Sequence, residues 1–229
     1  MDQPANMRSQ TEEEAKKDAL QRRSSRARCA TRKWRNMLPA VCLACAALLV
    51  SMSAAASAVV VDGVVLPEHV QIGAGGPELV LNGAGVRMEM IFKVYVAALY
   101  LPSRMDDGGA ILRDNRPSRL SLHLLRDVTP HQLAAVLNDA LRATLTPEQR
   151  LPLEPRLKQL EAIIHTLQQL KKGMQIVLDY RPHLDTTIRV DDEEKGRIPG
   201  ADFNHALLSL WIGDRPRDPL MRRALLGIR

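Results

Sequence analysis

The chain has 229 residues, with 32 Lys+Arg against 26 Asp+Glu, a formal net charge of +6, and 3 cysteines. Ten of those basic and five of those acidic residues fall within residues 1–58, so the remaining 171 carry 22 against 21, a net of +1. That balance excludes a nucleic-acid reading built on basicity. Because Cys29, Cys42 and Cys45 all precede residue 59, it leaves the rest of the chain without disulfides or thiolate metal ligands.

Arg26, Arg28, Arg32, Lys33 and Arg35 precede an apolar run over residues 37–50, and residues 51–58 end in Ala56-Ser57-Ala58. A basic flank, a short apolar core and a small-residue site make a secretory signal peptide, with cleavage expected after Ala58 and the mature domain, residues 59–229, in the periplasm. Residues 38–58 carry no charge and are long enough to span a membrane uncleaved, so an inner-membrane anchor facing the periplasm is the second reading. Residues 1–36 are long for a basic flank, and a downstream start is the alternative. Cys42 and Cys45 sit inside the apolar run, a poor context for lipidation. The 171 residues suit one domain with a substantial core.

Residues 59–61 and 64–66, joined by Asp62-Gly63, read as a hairpin that opens the sheet and is closed by Pro67. Gly73-Ala74-Gly75-Gly76-Pro77 is a connector, since no Lys-Ser/Thr and no strand-to-helix transition come after it as a phosphate loop requires. The stretch over residues 79–101 organises the rest of the chain. Two apolar runs, 79–81 and 94–101, flank Asn82-Gly83, a strong turn signal, and Gly85, where the backbone can approach another group. From there alternation places Val86, Met88 and Met90 on one face and Arg87, Glu89 and Ile91 on the other. Residues 94–101 are apolar on both faces, as a central strand is.

Residues 102–117 read as a loop with a helical turn at 110–113, and Leu120, Leu122 and Leu124 alternate with Ser121 and His123 in a strand with one wetter face. Thr129-Pro130 starts a helix that runs to about Leu145. Pro147 or Pro152 opens a second, with Leu157, Leu160, Ile163, Ile164, Leu167 and Leu170 on one stripe and Lys171-Lys172-Gly173 as its stop. Residues 175–180 and 186–190 form a returning hairpin through Pro182. Asp202 caps a helix reaching Gly213, and Asp218-Pro219 starts a last one through Leu225 and Leu226. The order predicts an α+β fold, an antiparallel sheet covered on one face by helices.

Read on periodicity alone, Arg87 beside Glu89 is half of a partly solvated ion pair. Tyr95 and Tyr100 fall on opposite faces of their strand, so at least one is core packing, as is Trp211. His69, His123, His131, His165, His183 and His205 show no ligand spacing, and Asp191-Asp192-Glu193-Glu194 reads as a solvated turn rather than a calcium loop. No Ser-His-Asp or Cys-His set is visible, and no metal or cofactor is predicted.

Gly83-Ala84-Gly85-Val86-Arg87, the run Val94-Tyr95-Val96-Ala97-Ala98-Leu99-Tyr100-Leu101, the segment Leu124-Leu125-Arg126-Asp127-Val128, and Leu210-Trp211-Ile212-Gly213-Asp214 with the later Leu225-Leu226-Gly227 together resemble the chalcone isomerase-like family. More narrowly, they resemble its secreted bacterial branch, over about residues 63–227. The resemblance implies an open-faced sandwich, a curved antiparallel sheet under helices, with a ligand cleft between the layers. The plant enzymes of the family close a chalcone with an arginine, a threonine and a tyrosine. Arg87 matches the arginine, whereas the threonine position falls at Tyr95 and the tyrosine position near Leu133, which counts against isomerisation. Other members of the fold bind fatty acids, an arginine and a tyrosine holding the carboxylate, and the resemblance gives that role to Arg87 with Tyr95 or Tyr100. The expected function is a periplasmic, non-catalytic binder of a fatty acid or similar amphipathic carboxylate. An isomerase- or lyase-type enzyme on another substrate is the alternative. The expected partner is a small amphipathic ligand, with no nucleic acid and no membrane span once the leader is removed.

Overall fold

Residues 57–228 are described by the computed structural model, and the basic flank and apolar run of the predicted leader lie outside the described residues. Seven strands form one antiparallel sheet in which spatial order equals chain order. They are β3 (His69–Gln71), β4 (Glu78–Glu89), β5 (Phe92–Leu101), β6 (Ser118–Leu124), β7 (Gln175–Tyr180), β8 (Asp185–Val190) and β9 (Glu193–Pro199). The predicted opening hairpin forms, as β1 (Ala58–Val61) and β2 (Val64–Pro67) around Asp62 and Gly63 at φ 50° and 82°. It makes a separate two-stranded sheet, however, rather than the first strands of the main one. Its Val61, Val64 and Leu66 instead cover the outer face of the main sheet over Leu79, Val96 and Tyr100. Strand β9 begins inside the expected solvated turn: Glu193 and Glu194 carry no apolar alternation, and at a sheet edge none is needed.

The expected turn at Asn82-Gly83 is absent. Both residues lie inside the twelve-residue β4, and the chain reverses at Met90-Ile91, with Met90 at φ 55°. Asn82 is the extra residue of a β-bulge, since Leu81 pairs with Tyr100 but Gly83 pairs with Leu99. Its side chain, 6% exposed, donates to the carbonyls of Met105 (2.9 Å) and Leu225 (2.8 Å) and accepts from the Met105 N–H (2.7 Å). The bulge decides where Arg87 points. Leu79 and Leu81 face outward with Val96, Ala98 and Tyr100, and strict alternation would send Gly83, Gly85 and Arg87 the same way. One inserted residue shifts the phase, so Ala84 and Val86 face the hairpin while Arg87 faces the helices.

The helices are α1 (Gly108–Arg113), α2 (Pro130–Thr144), α3 (Pro147–Arg150), α4 (Glu154–His165), α5 (Ala201–Ile212) and α6 (Pro219–Leu225), with a 3-10 turn at Leu151–Leu153. Thr129 caps α2 in a reciprocal box with Gln132, and Asp218 caps α6 by accepting from the Met221 N–H at 2.9 Å. The stripe that promised a helix through Leu170 is cut at His165. Leu170 and Val128 exchange backbone hydrogen bonds of 2.8 and 3.0 Å, and that bridge holds residues 166–170 out of helix while Leu167 and Leu170 stay buried. Asp202 lies in the first turn of α5 rather than at its cap, which is Gly200.

Helix α2 packs on α4 and α5, and all three cover the inner face of the sheet, giving the α+β open-faced sandwich. The C-terminus of α6 presses on β4 so closely that a Cβ at Gly83 would stand 2.1 Å from the Ala224 carbonyl oxygen. A Cβ at Gly85 would stand 2.7 Å from the Ala224 side chain, so the paired glycines are where the helix seats. Among the described residues no helix is long and apolar enough to cross a membrane, and no cluster of three or more His, Cys, Asp or Glu is placed to hold a metal.

Candidate functional site

Between the sheet and the helices lies a cleft of about 150 Å³. Leu122, Ile176, Leu178 and Ile188 on β6 to β8 form its floor, opposite Leu137 of α2 and Ile164 of α4. These are the inward residues of alternating strands and the inward stripes of amphipathic helices, so the same pattern that builds the core also builds the cleft wall. Val136 on α2 lines the cleft yet is 55% exposed, which places it at the rim.

Among the described residues only three charged ones line the cleft, and they stand together: Arg87, Arg217 and Asp218. Arg87 Nη1 donates to Asp218 Oδ2 at 2.8 Å, with the two side chains 23% and 20% exposed. The ion pair expected with Glu89 is therefore made instead with a residue 131 positions away. Tyr95 is Arg87's cross-strand partner on β5. Its hydroxyl accepts from Trp211 Nε1 at 3.1 Å and donates to no described residue, so its proton is free for an acceptor in the cleft. Arg217 is exposed and makes no hydrogen bond or ion pair among the described residues.

The surroundings shift two of these groups, Tyr95 and Asp218. Burial raises the Tyr95 hydroxyl above its ordinary value. The Trp211 hydrogen bond and the charges of Arg87 and Arg217 pull against that rise, and Asp218 adds to it. Burial also acts to raise the Asp218 carboxyl, but the Met221 N–H and the Arg87 guanidinium outweigh it, and the group ends below the usual carboxylate range. Tyr95 thus stays a neutral donor and Asp218 an anion at neutral pH.

Of the residues proposed from sequence, Arg87 and Tyr95 meet in the cleft, and Leu133 lines it as well. Tyr100 does not. It packs on the outer face with Leu66 and Val96, 2% exposed, because it alternates with Tyr95's face of β5; burial pushes its hydroxyl up to about 12. Trp211, expected in the core, is also a wall of the cleft, and Asp218, expected as a helix cap, is both the cap and the counter-charge. No sequence spacing connects residues 87, 95, 211 and 218, which only the fold brings together. One pairing not visible in sequence forms elsewhere: Ser121 Oγ lies 2.9 Å from His123 Nε2, with Gln175 bonded to Ser121. These two alternate with Leu122 and so point away from the cleft, and Ser121 is 1% exposed, sealed from any substrate.

A family model described as chalcone isomerase-like matches residues 58–227. The chain belongs to the chalcone isomerase-like family. The crystal structure of a fatty-acid binding protein from Arabidopsis thaliana is similar with a TM-score of 0.62 at 14% identity, over 75% of this chain and 96% of that one. At that identity the likeness establishes the fold, which is the chalcone isomerase-like fold. No curated protein matches.

Proposed function

We propose that this chalcone isomerase-like domain is a periplasmic, non-catalytic binder of a fatty acid or similar amphipathic carboxylate. The observation that carries the reading is a cleft with apolar walls whose charged groups among the described residues, Arg87, Arg217 and Asp218, are gathered in one place. Such a cavity suits a ligand with one ionised end and a hydrocarbon body. Arg87 uses Nη1 on Asp218 and makes no other hydrogen bond among the described residues, so the rest of its fork can meet a carboxylate beside the Tyr95 hydroxyl. The fatty-acid binding of the structurally similar plant protein supports the same class of ligand.

Each charged hydrogen bond contributes about 1.5–3 kcal/mol and each buried methylene about 0.8 kcal/mol. Calorimetry with saturated acids of increasing length and their methyl esters checks both terms. Affinity is expected to rise with chain length and to fall when the acid is esterified. Arg87→Ala is expected to weaken the acid and spare the ester, while Arg87→Lys restores part of the loss. Equal binding of acid and ester, or equal weakening of both by Arg87→Ala, would overturn the carboxylate-anchor reading.

A further inference from the structure

The charge that a ligand must bring can be counted from the residues at the polar end of the cleft. Arg87 and Arg217 supply two cations and Asp218 one anion, a local net of +1. Asp214 and Arg215 lie nearby in sequence, but neither lines the cleft, and they offset each other.

Whether Asp218 can be pushed aside by a ligand decides what that count means. Its two oxygens are committed separately, Oδ2 to Arg87 and Oδ1 to the Met221 N–H that starts α6. Swinging away from Arg87 would also uncap the helix, and α6 is pinned at its other end by Asn82 and Gly83 of β4. Asp218 is therefore a resident counter-charge. It balances the charge of Arg87 permanently while leaving part of its fork open, and the unmatched cation is the exposed Arg217 at the rim.

We infer that Arg217 and Asp218 set the charge class of the ligand: together they make the cleft selective for a single negative charge over a neutral or doubly charged headgroup. This rests on the amphipathic-ligand reading above and adds residues to it. A monoanion lying between Arg87 and Arg217 brings the cluster to zero. A dianion leaves one uncompensated charge against apolar walls, which is costly. A neutral headgroup forgoes the attraction of Arg217 and leaves the open Arg87 donors with a weaker acceptor.

The test uses the full chain and three probes of equal length at about pH 8: dodecanoate as monoanion, dodecyl phosphate as dianion and 1-dodecanol as the neutral ligand. Calorimetry on the wild type is expected to rank dodecanoate first. Asp218→Asn keeps an oxygen able to cap α6 while taking the net from +1 to +2. It is expected to move the ratio of dodecyl phosphate to dodecanoate affinity about tenfold toward the phosphate. Arg217→Gln, at an exposed position with no hydrogen bond or ion pair among the described residues, takes the net to zero and is expected to close the gap between dodecanoate and dodecanol about tenfold. If the wild type prefers dodecanoate but both substitutions leave the ranking and the ratios unchanged, the charge-selection inference is wrong while the binding function stands. If none of the three probes binds the wild type, the binding function itself falls and takes this inference with it.

Discussion

Removing the side chain of Asn82 tests the device that aims Arg87 into the cleft. Asn82→Ala deletes three hydrogen bonds, of 2.7 to 2.9 Å, to Met105 and Leu225 at a position 6% exposed, and it leaves the Met105 N–H and two carbonyls without those partners. At about 1 kcal/mol net for each bond the loss is about 3 kcal/mol, a large share of the about 5–15 kcal/mol that holds a domain together. With a urea slope of about 2 kcal/mol per molar, the unfolding midpoint is expected to fall by about 1.5 M with little change in slope. Asn82→Asp is expected to be worse, because it keeps the acceptor for Met105 but turns an anion toward two carbonyl oxygens. The consequence reaches the site: the Leu225 bond anchors the end of α6, whose start holds Asp218 against Arg87, so preference for acid over ester is expected to decline as well. A midpoint for Asn82→Ala within about 0.3 M of wild type would refute the reasoning, since the bulge would then be held by backbone pairing alone.

Two further outcomes are open to direct measurement. Because the folded Asp218 carboxyl lies below its unfolded value of about 3.9, the stability its interactions supply is complete above about pH 4 and drains as pH falls through the folded value; the gap in urea midpoint between wild type and Asp218→Asn is therefore expected to narrow in acid, and a gap constant from about pH 7 to pH 2 would remove the assigned role. N-terminal sequencing of the native protein is expected to begin at Val59, after Ala56-Ser57-Ala58, and a native chain still carrying residues upstream of Met37 would favour the membrane-anchored form.

Much of the fold is legible in sequence because its strongest signals are local. Thr129-Pro130 and Asp218-Pro219 start the helices where their caps and proline say they should, and the doubly apolar β5 is an interior strand, paired on both edges. What the sequence misstates is decided by contacts far along the chain. Asn82-Gly83 has the chemistry of a turn, yet Asn82 spends its amide on Met105 and Leu225, and Gly83 makes room for carbonyls 141 and 142 residues on. The apolar stripe through Leu170 fits a helix until a bridge to Val128 competes for its backbone. The site divides along the same line. Arg87 and Tyr95 are adjacent on paired strands and come into view through the family resemblance, whereas Trp211, Arg217 and Asp218 arrive from α5 and the approach to α6.

The protonation states in the cleft bear on the choice between retention and chemistry. General acid–base catalysis at neutral pH works best with a group whose pKa lies near neutrality, and here each candidate is moved away from it. Burial holds Tyr95 protonated, two hydrogen-bond donors hold Asp218 ionised, and an arginine guanidinium does not titrate in this range. His123 points to the opposite face of the sheet, where burial lowers its pKa, and His205 lies outside the lining. The shifts of Tyr95 and Asp218 suit both groups to holding a ligand. Tyr95 keeps a proton to donate, and Asp218 keeps the charge that limits the cluster to +1. If the cleft holds a carboxylate as proposed, its affinity is expected not to drift across neutral pH, because Tyr95 and Asp218 do not change charge there.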